Sequence, residues 1–206
     1  MKVLLINGSP HEKGCTYTAL SLIAGELKAQ GIDTEILHVG GQPVGGCIGC
    51  GGCRSGNGCV FGGVVNEAIE KAKTADAFVF GSPVHYASAA GNMASFMDRL
   101  AYAGGKYLAY KPAAVCCSAR RAGTTSTLDQ LVKYPQFFHM PLVNGSYWAM
   151  VHGSNPEQVL QDAEGCAVMQ ELGRNMAWLL HCIEAGKAAG LDHPQNPPRP
   201  MTNFIR

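Results

Sequence analysis

The stretch Lys2-Val3-Leu4-Leu5-Ile6-Asn7-Gly8-Ser9-Pro10-His11-Glu12-Lys13-Gly14-Cys15-Thr16 decides the fold. One charge is followed by an unbroken apolar run that stops at the turn-forming Asn7-Gly8-Ser9-Pro10. A short run bounded in this way suits a strand buried on both faces, as in a parallel sheet. From Thr16 to Gln30 the period becomes helical, with Leu20, Ile23, Ala24 and Leu27 on one side and Gly31 as the stop. Buried strand, polar loop and amphipathic helix, in that order, open a β-α-β unit.

The alternation repeats along the chain. Further strands are expected at 34–39, at 77–80 closed by Gly81-Ser82-Pro83, at 113–117 ending at Ser118, and at 141–147. Helical spacing is expected at 64–73, 91–103 and 125–134, and again over 156–189 with a break at Gly165 or Gly173. Residues 193–200 hold four prolines and read as an extended arm. The whole chain, residues 1–206, is expected to be one α/β domain, a five-stranded parallel sheet with helices on both faces and a C-terminal extension at 156–206. The strand order that fits is 2-1-3-4-5, flavodoxin-like, with a ligand site beyond the carboxyl ends of the strands.

Composition narrows the function classes. Of 206 residues, 47% are hydrophobic and only 15% charged, with a formal net charge of +1, so there is no basic excess for a nucleic-acid partner. No apolar run reaches the ~20 residues of a membrane span, and the N-terminal run is too short for a signal-peptide core; a cytoplasmic location is expected. The low charge and the C-terminal apolar pattern of Leu172, Met176, Leu179, Leu180 and Ile183 predict a homodimer or homotetramer. Tyr147, Trp148 and Met150 read as core packing, the alternative being a flavin-lining role in a neighbouring subunit. His38, His139, His152, His181 and His193 read as surface or packing residues.

Three polar, glycine-bearing loops follow the first, third and fourth strands: Gly8–Thr18, Gly81-Ser82-Pro83, and Ser118–Thr124. The first leads into a helix N-terminus, where free N–H groups and the helix dipole bind anions, with hydroxyls as added donors. A phosphate monoester suits it. A triphosphate loop is excluded by the absence of Gly-Lys-Ser/Thr, and a dinucleotide fingerprint by the absence of G-x-G-x-x-G. No Cys is followed six positions on by Arg, which removes a phosphatase thiol loop.

Gly8–Thr16, together with Gly81-Ser82-Pro83-Val84-His85-Tyr86 and Gly91-Asn92-Met93-Ala94-Ser95-Phe96-Met97-Asp98-Arg99, resembles the NADPH-dependent FMN reductase branch of the flavodoxin-like superfamily over residues 1–150. The resemblance implies FMN, with Ser9, Cys15, Thr16 and Tyr17 holding its phosphate and His11 beside it. It sets Pro83, Val84, His85 and Tyr86 along the isoalloxazine edge. Ser118, Arg120, Arg121, Gly123 and Thr124 would close the other side, an arginine there favouring the reduced anionic ring. His11 stands where many relatives have Arg, Cys15 where many have Asn, and His85 where Tyr is frequent. Asp98 and Arg99 are assigned to the helix and a partner subunit.

Nine cysteines, an odd number with Cys116 and Cys117 adjacent, do not read as a disulfide framework. Four lie within thirteen residues as Cys47-x2-Cys50-x2-Cys53-x5-Cys59, in a glycine-rich loop at 40–63 without periodicity. Three thiolates at i, i+3 and i+6 can converge when glycines let the backbone fold tightly. The spacing resembles that of the iron–sulfur flavoproteins, which implies a 4Fe–4S cluster; zinc and free thiols are the other readings.

The expected function is an FMN-dependent oxidoreductase that takes hydride from NAD(P)H and reduces a small acceptor such as a flavin or quinone. The first alternative is an iron–sulfur flavoprotein exchanging single electrons with ferredoxin. The second is a non-enzymatic metal or redox-sensing module on the cysteine loop. The flavin carries the chemistry, so no side chain is named as catalytic.

Overall fold

The computed structural model describes residues 1–198 and 200–202. Five parallel strands stand in the order β2-β1-β3-β5-β6: β2 Asp33–His38, β1 Lys2–Asn7, β3 Ala77–His85, β5 Ala113–Ala119 and β6 Met150–His152. A sixth, β4 (Ser88–Ala89), pairs antiparallel with the end of β3. The expected spatial order therefore holds, with one added hairpin strand. The central strand β1 is buried from Val3 to Asn7 because it is paired on both edges and covered on both faces.

Helices α1 (Cys15–Ala29) and α6 (Ala163–Ala188) cover one face, where Val3, Leu5 and Val79 meet Leu20, Ile23, Leu172 and Met176. Helices α2 (Val64–Thr74) and α3 (Gly91–Gly104) cover the other, where Leu4, Ile6, Phe78 and Phe80 meet Ile69, Phe96 and Leu100. Alternate residues of each strand thus feed opposite cores. Helix α4 (Thr124–Phe137) follows β5, and the short α5 (Pro156–Gln161) precedes α6.

Several boundaries depart from the sequence reading. The third strand does not close at Gly81-Ser82-Pro83. Gly81, Ser82 and Pro83 pair in register with Cys116, Cys117 and Ser118, because a neighbour on β5 overrides turn propensity. The fifth strand is not 141–147. Only Leu142 bridges to Ala113. The chain then leaves the edge at Asn144-Gly145-Ser146, where the Ser146 N–H is taken by Glu171 Oε2 at 2.7 Å, and rejoins as β6.

The C-terminal pattern breaks at Asp162, not at Gly165 or Gly173. The Asp162 carboxylate accepts from the Gly165 N–H at 3.0 Å and so caps α6. Gly173 is instead where α6 crosses α1: a Cβ there would lie 2.8 Å from the Ile23 carbonyl oxygen and from Glu26 Cβ.

Of the expected interface stripe, Leu172, Met176 and Leu180 are buried against α1, while Leu179 and Ile183 are half-buried. Tyr147 and Trp148 are exposed and stack edge-on at 4.7 Å, not core residues. Beyond α6, residues 191–198 and 200–202 form no helix or strand, in keeping with an extended arm. The arm's Arg199 lies outside the described residues. His193 stacks on Tyr110 at 4.3 Å, and Asn196 donates to the Tyr110 hydroxyl.

Candidate functional site

The loops after β1, β3 and β5 meet at the carboxyl end of the sheet. There the first turn of α1 is tied to the end of β5 by Thr16 Oγ1 and Ser118 Oγ, 2.8 Å apart, both residues buried. In the first loop the Ser9 hydroxyl accepts from the His11 N–H at 3.1 Å, while Asn7 takes the Ser9 N–H and donates to the Glu12 carbonyl. The loop is folded back on itself and aims at the start of α1. There Gly14 is the N-cap and provides no side-chain cap, so first-turn N–H groups point outward without a side-chain acceptor. The same is true of α4, whose N-cap is Gly123 at φ +96°. Two uncapped helix starts at one end of the sheet give an electropositive, donor-rich rim.

Each expected site residue can be placed. His11, His85, Tyr86, Arg120 and Arg121 are exposed; Tyr17, Pro83, Val84 and Gly123 are half-buried; Ser9, Thr16, Ser118 and Thr124 are buried. Cys15 points its thiol at the Gly153 carbonyl, 3.6 Å away, on the far side of β6's end. Burial pushes that thiol up from its ordinary value, and a neutral thiol does not repel an anion at the adjoining helix start.

Tyr86 and Ala87 form the two-residue turn of the β3–β4 hairpin, at φ +51° and +58°. Two left-handed non-glycine residues cost conformational energy, and their neighbours hold them. The Ser126 hydroxyl donates to the Ala87 carbonyl at 2.7 Å. A Cβ on Gly123 would lie 2.8 Å from Ala87 Cα, so only glycine lets the third loop close on the second.

Sequence reasoning read His38 only as a surface or packing residue and gave Ser82, in its polar loop, no role of its own. His38 Nε2 lies 2.8 Å from the Ser9 carbonyl oxygen, and the Ser82 hydroxyl accepts from the Ala90 N–H at 3.0 Å. Both shape the rim, and neither leaves a mark in a local pattern.

The cysteine loop forms a second feature. Cys47, Cys50, Cys53 and Cys59 all line one cavity of ≈ 280 Å³ against α3, with Ile48, Phe61, Arg99 and Tyr102. Its backbone runs in glycine-rich turns: Gly51 at φ +73° starts the single 3-10 turn Gly52–Ser55, and Gly58 at φ +82° has Asn66 Oδ1 where a Cβ would sit. Asn66 grips the Cys59 backbone from both sides, accepting its N–H at 2.8 Å and donating to its carbonyl at 3.0 Å. Asn92, in the first turn of α3, holds the upstream part through Gly40, Gln42 and Val44.

Arg99 was expected to serve a partner subunit. It is 6% exposed and reaches into this loop, with Nε 3.2 Å from Cys59 Sγ and the other nitrogens donating to the Gly45 and Gly62 carbonyls. Its signal was available: it falls three residues after the buried Phe96, on an otherwise apolar stripe. Asp98 instead accepts the Tyr134 hydroxyl at 2.6 Å, joining α3 to α4. Among the described residues, no three His, Cys, Asp or Glu side chains stand close enough to share one metal ion.

A family model described as NADPH-dependent FMN reductase matches residues 1–155. An iron-sulfur flavoprotein of Methanocaldococcus jannaschii is 27% identical over 192 residues, covering 89% of this chain and all of that protein. An iron-sulfur flavoprotein of Methanosarcina thermophila is 22% identical, covering 91% of this chain and 99% of the other. Among solved structures, an NADH:FMN oxidoreductase in apo form superimposes with TM-score 0.64 at 17% identity, over 86% of this chain and 89% of that one. At that identity the likeness concerns the fold.

Proposed function

We propose that this chain, which belongs to the NADPH-dependent FMN reductase family, couples an FMN site to a 4Fe–4S cluster held by Cys47, Cys50, Cys53 and Cys59. Its class is that of an FMN-dependent flavoprotein oxidoreductase. The observation that carries the cluster reading is the cavity lined by all four cysteines, with the buried Arg99 cation against the sulfur of one of them. Four cysteines that line one cavity, with no three such side chains among the described residues close enough to share one ion, suit a multi-iron body better than zinc, which needs every sulfur at ~2.3 Å from a single point. The naming of full-length relatives as iron-sulfur flavoproteins supports the same reading.

Bound FMN supplies two-electron chemistry and the cluster one-electron chemistry. The chain's own residues bind, orient and shield. The first-turn N–H groups of α1, with Ser9, Thr16 and Tyr17, take the phosphate, and His11 and the neutral Cys15 flank it. Pro83, Val84, His85 and Tyr86, with Ser118, Gly123 and Thr124, would hold the ring. The exposed Arg120 and Arg121 bring positive charge to the rim, which favours the anionic reduced ring and draws in an NAD(P)H phosphate. The acceptor would be a small molecule, a flavin or quinone, or ferredoxin.

Purification and reconstitution without air, followed by FMN, iron and sulfide assay, test this reading. One FMN per chain with iron and sulfide in matching amounts is expected. Extraction of FAD in place of FMN overturns the flavin assignment. Iron absent after reconstitution overturns the cluster and leaves a plain FMN reductase. A flavin band bleached by neither NADH nor NADPH overturns the nicotinamide donor and favours ferredoxin.

A further inference from the structure

We infer that Arg99 is the positioning residue of the cysteine cavity: its fixed positive charge compensates the negative cluster and raises its reduction potential, while its fork ties the two flanks of the loop together. The inference rests on the cluster reading above. Arg99 is 6% exposed and pairs with no carboxylate among the described residues. A buried guanidinium without a counter-charge is unfavourable, and it stays protonated at any ordinary pH. What faces it is sulfur: Nε lies 3.2 Å from Cys59 Sγ, and the ring of Phe61 lies 5.6 Å from the guanidinium carbon. Its remaining donors go to the carbonyls of Gly45, before the first cysteine, and Gly62, after the last.

One side chain on a rigid helix therefore binds the entry, the exit and one sulfur of the loop. Four thiolates around an iron–sulfur core carry net negative charge, and reduction adds one electron with no bond made or broken. A buried fixed cation beside one ligand stabilises the reduced form more than the oxidised, so it shifts the potential upward. Arg99 touches the ligand sulfur and not the reacting flavin, so its part is to position and tune.

The test compares wild type, Arg99→Gln and Arg99→Lys, each reconstituted without air. The readouts are iron and sulfide content, FMN content as the check on folding, and the cluster midpoint potential by spectroscopic titration. Arg99→Gln is expected to fall in potential by at least a tenfold change in the reduction equilibrium, about 59 mV for one electron. Arg99→Lys is expected to stay nearer wild type than that. If Arg99→Gln keeps FMN but takes no iron while Arg99→Lys loads normally, the charge requirement is upheld at the assembly step. A loaded Arg99→Gln at the wild-type potential overturns the inference, as does loss of iron from both variants alike. Wild type that takes up no iron overturns the cluster reading, and this inference falls with it.

Discussion

Thr16 Oγ1 and Ser118 Oγ lie 2.8 Å apart across 102 residues of sequence, and this bond locks the first turn of α1 to the end of β5. Both residues are buried, so each hydroxyl has few other partners. A hydroxyl has one donor and two acceptor sites, which leaves this pair able to turn one further donor toward an anion at the start of α1.

Thr16→Val keeps the shape and removes the oxygen. We expect FMN affinity to fall by ~1–3 kcal/mol, the range for a buried polar partner left unsatisfied. Ser118→Ala should act similarly, and the double variant should cost less than the sum, because one bond is removed in all three. Titration of apoprotein with FMN by flavin fluorescence measures it. Strict additivity would mean that the two hydroxyls act separately.

The crossing of α1 and α6 predicts opposite effects for two glycines. Gly173→Ala would push a methyl against the Ile23 carbonyl and Glu26 Cβ, both 2.8 Å away, and should destabilise by ~1–3 kcal/mol. Gly25, on the exposed side of α1, has nothing within 4 Å of its added Cβ, so Gly25→Ala should stabilise by roughly 0.5–1 kcal/mol through helix propensity. Chemical denaturation of both variants checks the pair.

Burial pushes the Cys117 thiol up to about 12 and raises the neighbouring Cys116 as well. The thiolate is the reactive species, so neither should alkylate in the native protein at pH 8. The exposed Cys47, Cys50 and Cys182 should react at once in iron-free protein. Cys47 and Cys50 should become protected on cluster loading while Cys182 does not, as read by mass spectrometry of the labelled peptides.

The four cysteines should act as one unit. Cys50→Ala and Cys59→Ala are each expected to lose most of the iron, with no further loss in the double variant, while FMN content survives. Loss of FMN together with iron would mean that the loop also builds the flavin pocket.

Glu35 on β2 receives Lys2 and Lys71, each at 2.6 Å, and hydrogen bonds from these two ammonium groups, Lys2 first, hold its carboxyl below its ordinary value. A depressed carboxylate adds stability above its unfolded pKa of about 4.3, and that stability is lost as pH falls through the lower folded value. The trio is partly solvated, so Glu35→Gln should cost under about 1 kcal/mol at pH 7. The difference from wild type should shrink in acid, as denaturation midpoints at pH 7 and pH 3 would record.

The residue pattern by itself determined the parallel sheet, its order and the carboxyl end at which the polar loops meet. Buried runs such as Val3–Ile6 and helical stripes such as Leu20, Ile23 and Leu27 are local signals, set by periods of two and 3.6 residues. The cysteine spacing was legible for the same reason, since the four residues are neighbours in the chain. Only the tertiary structure decided that Gly81-Ser82-Pro83 is strand, because a paired edge on β5 outweighs turn propensity there. It likewise decided that the last strand detours at Asn144-Gly145-Ser146, where Glu171 of α6 takes a backbone N–H. Arg99 and Cys59 are 40 residues apart and meet only because α3 packs under the loop. A buried charge finds its partner through packing in space, and no sequence period encodes that meeting.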